Sequence, residues 1–149
     1  MRAVIQRVEK AGVFIRESGV EKRIGKGLVV LLGIGKEDNE DDLKYLSEKI
    51  VNLRIFPDAE GKMNLSILDV KGEVLIVSQF TLYGNTSRGR RPDFVEAAEP
   101  RMAKDLYEEF VNEIRKTGLQ VENGEFAANM LVEIHNNGPV TFFLDSKEK

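Results

Sequence analysis

The sequence predicts a mixed α/β domain whose curved, mostly antiparallel sheet carries helices on one side, and three observations point there. Strand-like alternation opens the chain. Two apolar stretches, residues 28–34 and 73–82, read as buried strands. Two further segments space their apolar residues as helices do. With 149 residues, 42% of them hydrophobic, the chain has material for one domain with one core, spanning residues 1–149.

In the opening segment Val4, Gln6 and Val8 share one face and Ala3, Ile5 and Arg7 the other. Val13 and Ile15 follow before Gly19, which predicts an N-terminal hairpin. Residues 28–34 form the central strand, ended by Gly33 and Gly35. Asp38 or Asn39 then caps a helix over 40–54. Its Leu43, Leu46, Ile50 and Leu53 recur at spacings of three and four, while Lys44, Glu48 and Lys49 take the wet side. Pro57 closes that helical region and residues 58–61 make a turn. Residues 73–82 are a second buried strand with a polar end, followed by a loop over 83–92. A second helix begins near Pro100, a residue suited to a first helical turn, with Met102, Leu106, Phe110 and Ile114 as its stripe and Gly118 as its C-cap. Residues 122–124 make a turn, and 126–133 lead back toward a final strand at 140–144. The order of strands in the sheet is not contained in this pattern.

Composition excludes several chemistries. No cysteine is present, so disulfides, a thiolate nucleophile and thiolate metal ligation are all absent. One histidine and dispersed carboxylates form no metal-ligand cluster, so neither metal nor cofactor is expected. Charges at Arg2, Arg7, Glu9 and Lys10 leave no secretory core at the N-terminus, and the longest apolar run is far shorter than the roughly 20 residues of a membrane span. A cytoplasmic protein with no membrane partner is expected. The net charge of −3 makes any RNA binding local rather than global.

Three segments carry polar groups in places where chemistry could be done. Ser78, Gln79, Phe80 and Thr81 stand at the end of an apolar strand, where they either satisfy backbone groups or face a substrate. Asn136, Asn137, Gly138 and Pro139 interrupt two strand segments, either as a tight turn or, through the one bond type where a cis peptide costs little, as an unusual presentation of carbonyls. Arg88, Arg90 and Arg91 crowd a glycine-containing loop directly downstream of the first segment, and could touch phosphate or simply be solvated surface. His135, the lone histidine, would have to serve any Ser-His-Asp triad.

Ser-Gln-Phe-Thr-Leu at 78–82 and Asn-Gly-Pro-Val-Thr at 137–141 together resemble the two signature motifs of the D-aminoacyl-tRNA deacylase family. The likeness runs in order through Ile5-Gln6-Arg7-Val8, Gly61-Lys62-Met63-Asn64, Arg91-Pro92-x-Phe94 and Gly124-x-Phe126-Ala127-Ala128-x-Met130, over nearly the whole chain. It implies a homodimer in which Gly138 and Pro139, joined by a cis bond, project into the pocket of the other subunit. It also implies that Ser78, Gln79 and Phe80 line that pocket with Thr81 beside the reacting ester, and that Arg7, with Asn137, supports the Gly-Pro loop.

The activity so implied is hydrolysis of D-aminoacyl-tRNA. With no thiol, metal or histidine base, backbone N–H groups would hold the oxyanion and the 2′-hydroxyl of the terminal ribose would assist. Rejecting L side chains on the Gly138 and Pro139 carbonyls leaves no means of excluding glycine, so glycyl-tRNA, including glycine mischarged on tRNA-Ala, should also be cleared. Two other readings compete. A non-catalytic RNA- or DNA-binding dimer would use Arg88, Arg90 and Arg91 without releasing amino acid. A serine or threonine esterase would turn over small esters without RNA, through a covalent intermediate.

Overall fold

The computed structural model describes residues 1–148; Lys149 lies outside the described residues. Strand β1, Arg2–Ile15, is the spine of the sheet. It pairs antiparallel with β2 (Glu21–Ile24), β3 (Gly27–Gly33) and the long last strand β8 (Met130–Asp145). Beyond β3 the pairing turns parallel, to β6 (Glu73–Ser78) and then β7 (Gln120–Asn123). The sheet is therefore mixed, with order β2-β1-β3-β6-β7 and β8 on the remaining partner face of β1. The N-terminal hairpin turns around Gly19, whose positive φ of 70° needs a residue without a side chain.

Curvature comes from β1. Its ladder with β8 shifts register between Gln6 and Val8 and again between Val8 and Lys10, and such bulges bend a strand and change which face its side chains meet. Ala3 and Ile5 consequently join one buried cluster, and Val8, Ala11 and Val13 another. The first cluster lies under α1 (Glu40–Asn52) and α3 (Pro100–Arg115), which pack on the same side of the sheet through Leu43, Leu46, Tyr107, Phe110 and Ile114. The second lies inside the curl, where Val29, Leu75 and Val77 meet Met130, Val132 and Ile134 of β8. Two short strands, β4 (Phe56–Pro57) and β5 (Met63–Leu65), and the single-turn helix α2 (Ile67–Val70) fill the connection from α1 to β6.

Asn39, not Asp38, caps α1, through a reciprocal box with Asp42. Asp38 is turned inward instead. The helix ends at Asn52, before Pro57, because Leu53 takes extended backbone. Strand β6 stops at Ser78, and residues Phe80–Tyr83 wind into a 3-10 turn rather than extending the strand to residue 82. The stripe of α3 is centred on Ala103 and Tyr107, with Met102 and Leu106 only half-buried, since the Tyr107 hydroxyl finds two buried acceptors. Lys116 is the C-cap of α3 and Gly118 lies beyond it at φ 87°. The expected turn at 122–124 is mostly strand β7, because the ladder to β6 satisfies its backbone, and residues 136–139 stay within β8, with 137–140 bulging out between the pairs Val8–Asn136 and Gln6–Thr141.

Met1 and the segment 145–147 are fastened beside α1. The Met1 ammonium donates to Asp38 Oδ1 at 2.5 Å and to Ser146 Oγ at 2.6 Å, and Ser146 Oγ donates on to Asp42 Oδ1 at 2.7 Å. Lys147 Nζ reaches Asp42 Oδ2 at 2.8 Å. Burial pushes the Asp42 carboxyl up, but Lys147, Ser146 and the Asn39 N–H together hold it below the ordinary carboxylate value. Burial likewise opposes, and the Lys147 N–H and Arg2 outweigh it, at Asp145. Carboxyls depressed in the fold stabilise it fully above their unfolded pKa of about 3.9, and lose that contribution as pH falls through the folded values. Thermal unfolding followed from neutral pH downward should therefore show a plateau and then a decline below about pH 4. Asp42→Asn should flatten that decline; an unchanged acid limb would remove Asp42 from this role.

Candidate active site

The parallel pair β3 and β6 ends beside a cleft of about 600 Å³. Clefts outside the carboxyl ends of parallel strands are common ligand sites, because the chain must leave the sheet there and its loops diverge. Leu32, Ile34, Val77 and Ser78 form the floor, Gln79 and Phe80 one rim, and residues 126–130 another. Ala97, Ala98 and Ala103 line the side where α3 begins, and their small side chains keep it open. Backbone bonds from Ala98 N to Ile34 O and from Lys36 N to Glu96 O tie that side to the end of β3.

Of the strand-end segment, Ser78, Gln79 and Phe80 line the cleft and Thr81 does not. Thr81 is exposed, and its hydroxyl accepts from Gln79 Nε2. The Gln79 N–H extends the sheet by donating to Leu32 O at 2.8 Å, which fixes where the turn departs. Within the turn the Leu82 N–H returns to Gln79 O, while the N–H groups of Phe80 and Thr81 have no acceptor among the described residues. Such first-turn donors are free to meet an oxygen from outside. The Phe80 ring, 57% exposed, stands edge-on to Phe94 at a centroid distance of 4.9 Å.

Tyr107 braces this end of the sheet from beneath, its hydroxyl donating to Ile76 O (2.9 Å) and shared with Gly124 O (3.1 Å), and burial pushes its phenol up to about 12. Burial, and then the charges of Asp38 and Asp145, push the Tyr83 phenol further up, so it stays a neutral donor to Asp38.

Gly138 and Pro139, joined by a cis peptide bond, do not line the cleft of their own chain. They are exposed on β8, opposite the bulged stretch of β1. Arg7 spans from Ile55 O (2.7 Å) to Asn137 Oδ1 (3.3 Å), Asn137 Nδ2 donates to Glu9 Oε1, and Asn136 Nδ2 bridges Arg7 O and Val140 O. The buried Arg7 Nε has no acceptor among the described residues. Exposed Phe142 and Phe143 follow directly, and Phe14 lies opposite Leu131 on the same strand pair.

Arg88, Arg90 and Arg91 are exposed on a loop closed by paired backbone bonds between Asn85 and Asp93. His135 is apart from the cleft, on β8, bonded through Nε2 to Glu133 Oε1 at 2.8 Å. No triad with Ser78 is assembled. Among the described residues no group of three or more His, Cys, Asp or Glu could hold a metal ion, and no helix is long and apolar enough to cross a membrane. Sequence reasoning had no signal for Ala97, Ala98 or Ala103, since small residues lining a cleft look like small residues anywhere. Nor did it point to Glu9 as the partner of Asn137 or to Asn136 as a partner of Arg7.

A family model described as D-Tyr-tRNA(Tyr) deacylase matches residues 4–145. The D-aminoacyl-tRNA deacylase of Fervidobacterium nodosum is 62% identical over 148 residues, 99% of this chain and 99% of the relative. A solved structure named c-Myc DNA Unwinding Element Binding Protein superposes with a TM-score of 0.90 at 42% identity, covering 97% of this chain and 98% of that one. Another, named as a probable eukaryotic D-amino acid tRNA deacylase, shares the fold at TM-score 0.85 and 18% identity, with 97% and 98% covered.

Proposed function

This chain belongs to the D-Tyr-tRNA(Tyr) deacylase family, and on that premise we propose that it is an ester hydrolase that cleaves D-aminoacyl-tRNA into D-amino acid and tRNA. The observation that carries the reading is the pair of unpartnered N–H groups, Phe80 and Thr81, that open the turn leaving a cleft otherwise walled by carbon and small polar side chains; Phe80 lines that cleft and Thr81 follows it. Water adds its oxygen to the ester carbonyl carbon, the carbonyl oxygen takes up negative charge against those N–H groups, and the bond to the ribose oxygen breaks as that oxygen receives the proton. The neighbouring ribose hydroxyl relays the proton, so the RNA supplies the group that the protein lacks. Ser78 and Gln79 position the ester, and Thr81 supports Gln79 rather than attacking.

The working unit in this reading is a homodimer, each chain one domain. Gly138 and Pro139 of one subunit enter the cleft of the other and reject L side chains by contact, without a pocket for D ones. Three features support it: the exposed position of the pair away from its own cleft, its fastening by Arg7, Asn136 and Asn137, and the exposed Phe142 and Phe143 beside it. The exposed Arg88, Arg90 and Arg91 lie where phosphates of the acceptor end could be met, and such a substrate places the protein in the cytoplasm.

The test is amino-acid release from matched D- and L-tyrosyl-tRNA, with glycyl-tRNA as a third substrate. D-tyrosine and glycine should be released and L-tyrosine retained. Loss of all three would indicate an unselective esterase. Retention of all three, with tRNA bound in a salt-sensitive way, would favour the nucleic-acid-binding reading, to which the name of the 42% identical structure lends its one specific support. If Thr81→Ala binds tRNA but releases nothing, a threonine nucleophile replaces the RNA-assisted step.

A further inference from the structure

The turn Phe80–Tyr83 is four residues long and open to solvent at Phe80 and Thr81. Donors on so short a segment act on a developing charge only if the segment is held in place before the substrate arrives. The hold is at its far end. The Tyr83 ring is pressed against Gly35, where an added Cβ would lie 2.7–2.8 Å from ring atoms, and the Arg2 guanidinium sits 4.5 Å from the ring centroid. Leu82 rests against Gly33 in the same way, a Cβ there falling 3.0 Å from the Leu82 Cβ. Arg2 Nη1 donates to Leu82 O at 3.1 Å and is itself fixed by Asp145, Nε to Oδ2, at 3.0 Å. The Tyr83 hydroxyl donates at 3.2 Å to Asp38 Oδ2, which also accepts the Gly35 N–H at 2.7 Å.

We infer that Tyr83 is a positioning residue for the deacylation reaction: its ring, seated on Gly35 and covered by Arg2, sets the place of the Phe80 and Thr81 N–H groups. The inference rests on the deacylase reading above. Tyr83 does not line the cleft, so it acts on the rate of the step and not on the walls that hold the substrate.

Steady-state hydrolysis of D-tyrosyl-tRNA by three variants tests it. Tyr83→Leu should lower kcat by about tenfold or more with KM within about twofold, because a sub-ångström displacement of the donors weakens only what they contact in the transition state. Tyr83→Phe, which keeps the ring in its seat, should stay within about threefold of the parent kcat. Gly35→Ala, at a position whose backbone any residue can adopt, should push the ring out and reproduce the Tyr83→Leu loss; added to Tyr83→Leu it should cost nothing more.

A Tyr83→Leu protein with parental kcat, a loss confined to KM, a Tyr83→Phe protein as slow as Tyr83→Leu, or additive losses in the double variant would each overturn the inference. Should Gly35→Ala fail to fold, the two Tyr83 variants decide it alone. If the parent hydrolyses no D-aminoacyl-tRNA, the functional reading fails, and the positioning claim is still read from amide hydrogen exchange at residues 79–84. Faster exchange there in Tyr83→Leu, against unchanged exchange in β3, supports the seat; unchanged exchange in both overturns it.

Discussion

Gly138→Ala should leave the fold as stable as the parent and abolish most of the activity. A Cβ at Gly138 would meet only Asn136 Oδ1, at an ordinary 3.5 Å, and the backbone there is not left-handed, so the stability change should stay within about 0.5 kcal/mol. Nothing within one chain would register the extra methyl. In the proposed dimer it would enter the partner's cleft at the point of closest approach to the substrate. Displacing the substrate by about 1 Å is enough for a loss on the order of 100-fold in kcat/KM. Hydrolysis of D-tyrosyl-tRNA together with a thermal melt reads both halves of the expectation.

Mixing is the sharper version. Gly138→Ala chains co-refolded with chains whose cleft is filled by Ser78→Trp should recover activity that neither variant has alone, because the mixed dimer contains one intact cleft facing one intact Gly138. No recovery in verified mixed dimers, or full activity in Gly138→Ala itself, would show that the pair does not act across subunits.

Asp38→Asn should be the most destabilising single-atom exchange in the protein. Asp38 is 4% exposed and carries the buried Met1 ammonium at 2.5 Å, the Gly35 N–H at 2.7 Å and the Tyr83 hydroxyl at 3.2 Å. An amide there keeps the size but removes the charge that compensates the ammonium, and half of its hydrogen-bonding atoms become donors facing donors. Breaking one side of a buried pair in this way costs about 3–5 kcal/mol, a large part of a typical total of about 5–15. For a chain of this length the melting temperature should fall by roughly 10 °C or more. Ser146→Ala, which takes away one neutral partner of the same ammonium, should cost only about 1–2 kcal/mol. Urea unfolding of both variants checks the ranking, and an Asp38→Asn loss below that of Ser146→Ala would mean that the ammonium finds water instead.

How much of this was legible beforehand varies by element. The central strand, the Asn39 or Asp38 cap and the helix begun by Pro100 follow from local rules, and all three formed. Residues 73–82 read as one strand because the stretch is rich in Val, Ile and Leu, and the residues at its polar end continue that run without a break. They coil instead because the glycine seats at 33 and 35 accept Leu82 and Tyr83 only when the chain turns back. Glu122, Asn123 and Gly124 have a turn composition, but most of that segment is strand because β6 offers it a parallel edge. In the candidate site, Ser78, Gln79 and Phe80 could be singled out as polar groups ending an apolar run. Their alanine neighbours could not, and the pairing of Arg7 with Asn137, 130 residues apart, was implied by the family resemblance and by no local pattern.

By itself the sequence determined which segments are apolar on one side, where two helices start, which chemistries are impossible for want of thiols, and, through its two motifs, the family. The tertiary structure alone decided that Asp38 turns inward to the Met1 ammonium, that Thr81 stays outside the cleft its neighbours line, and that Gly138 and Pro139 stand clear of it. The first group depends on interactions within a few residues, where side-chain pattern and backbone preference suffice. The second depends on which acceptors, edges and spaces distant segments bring, and those exist only once β1, β3, β6 and β8 have taken their places in the sheet.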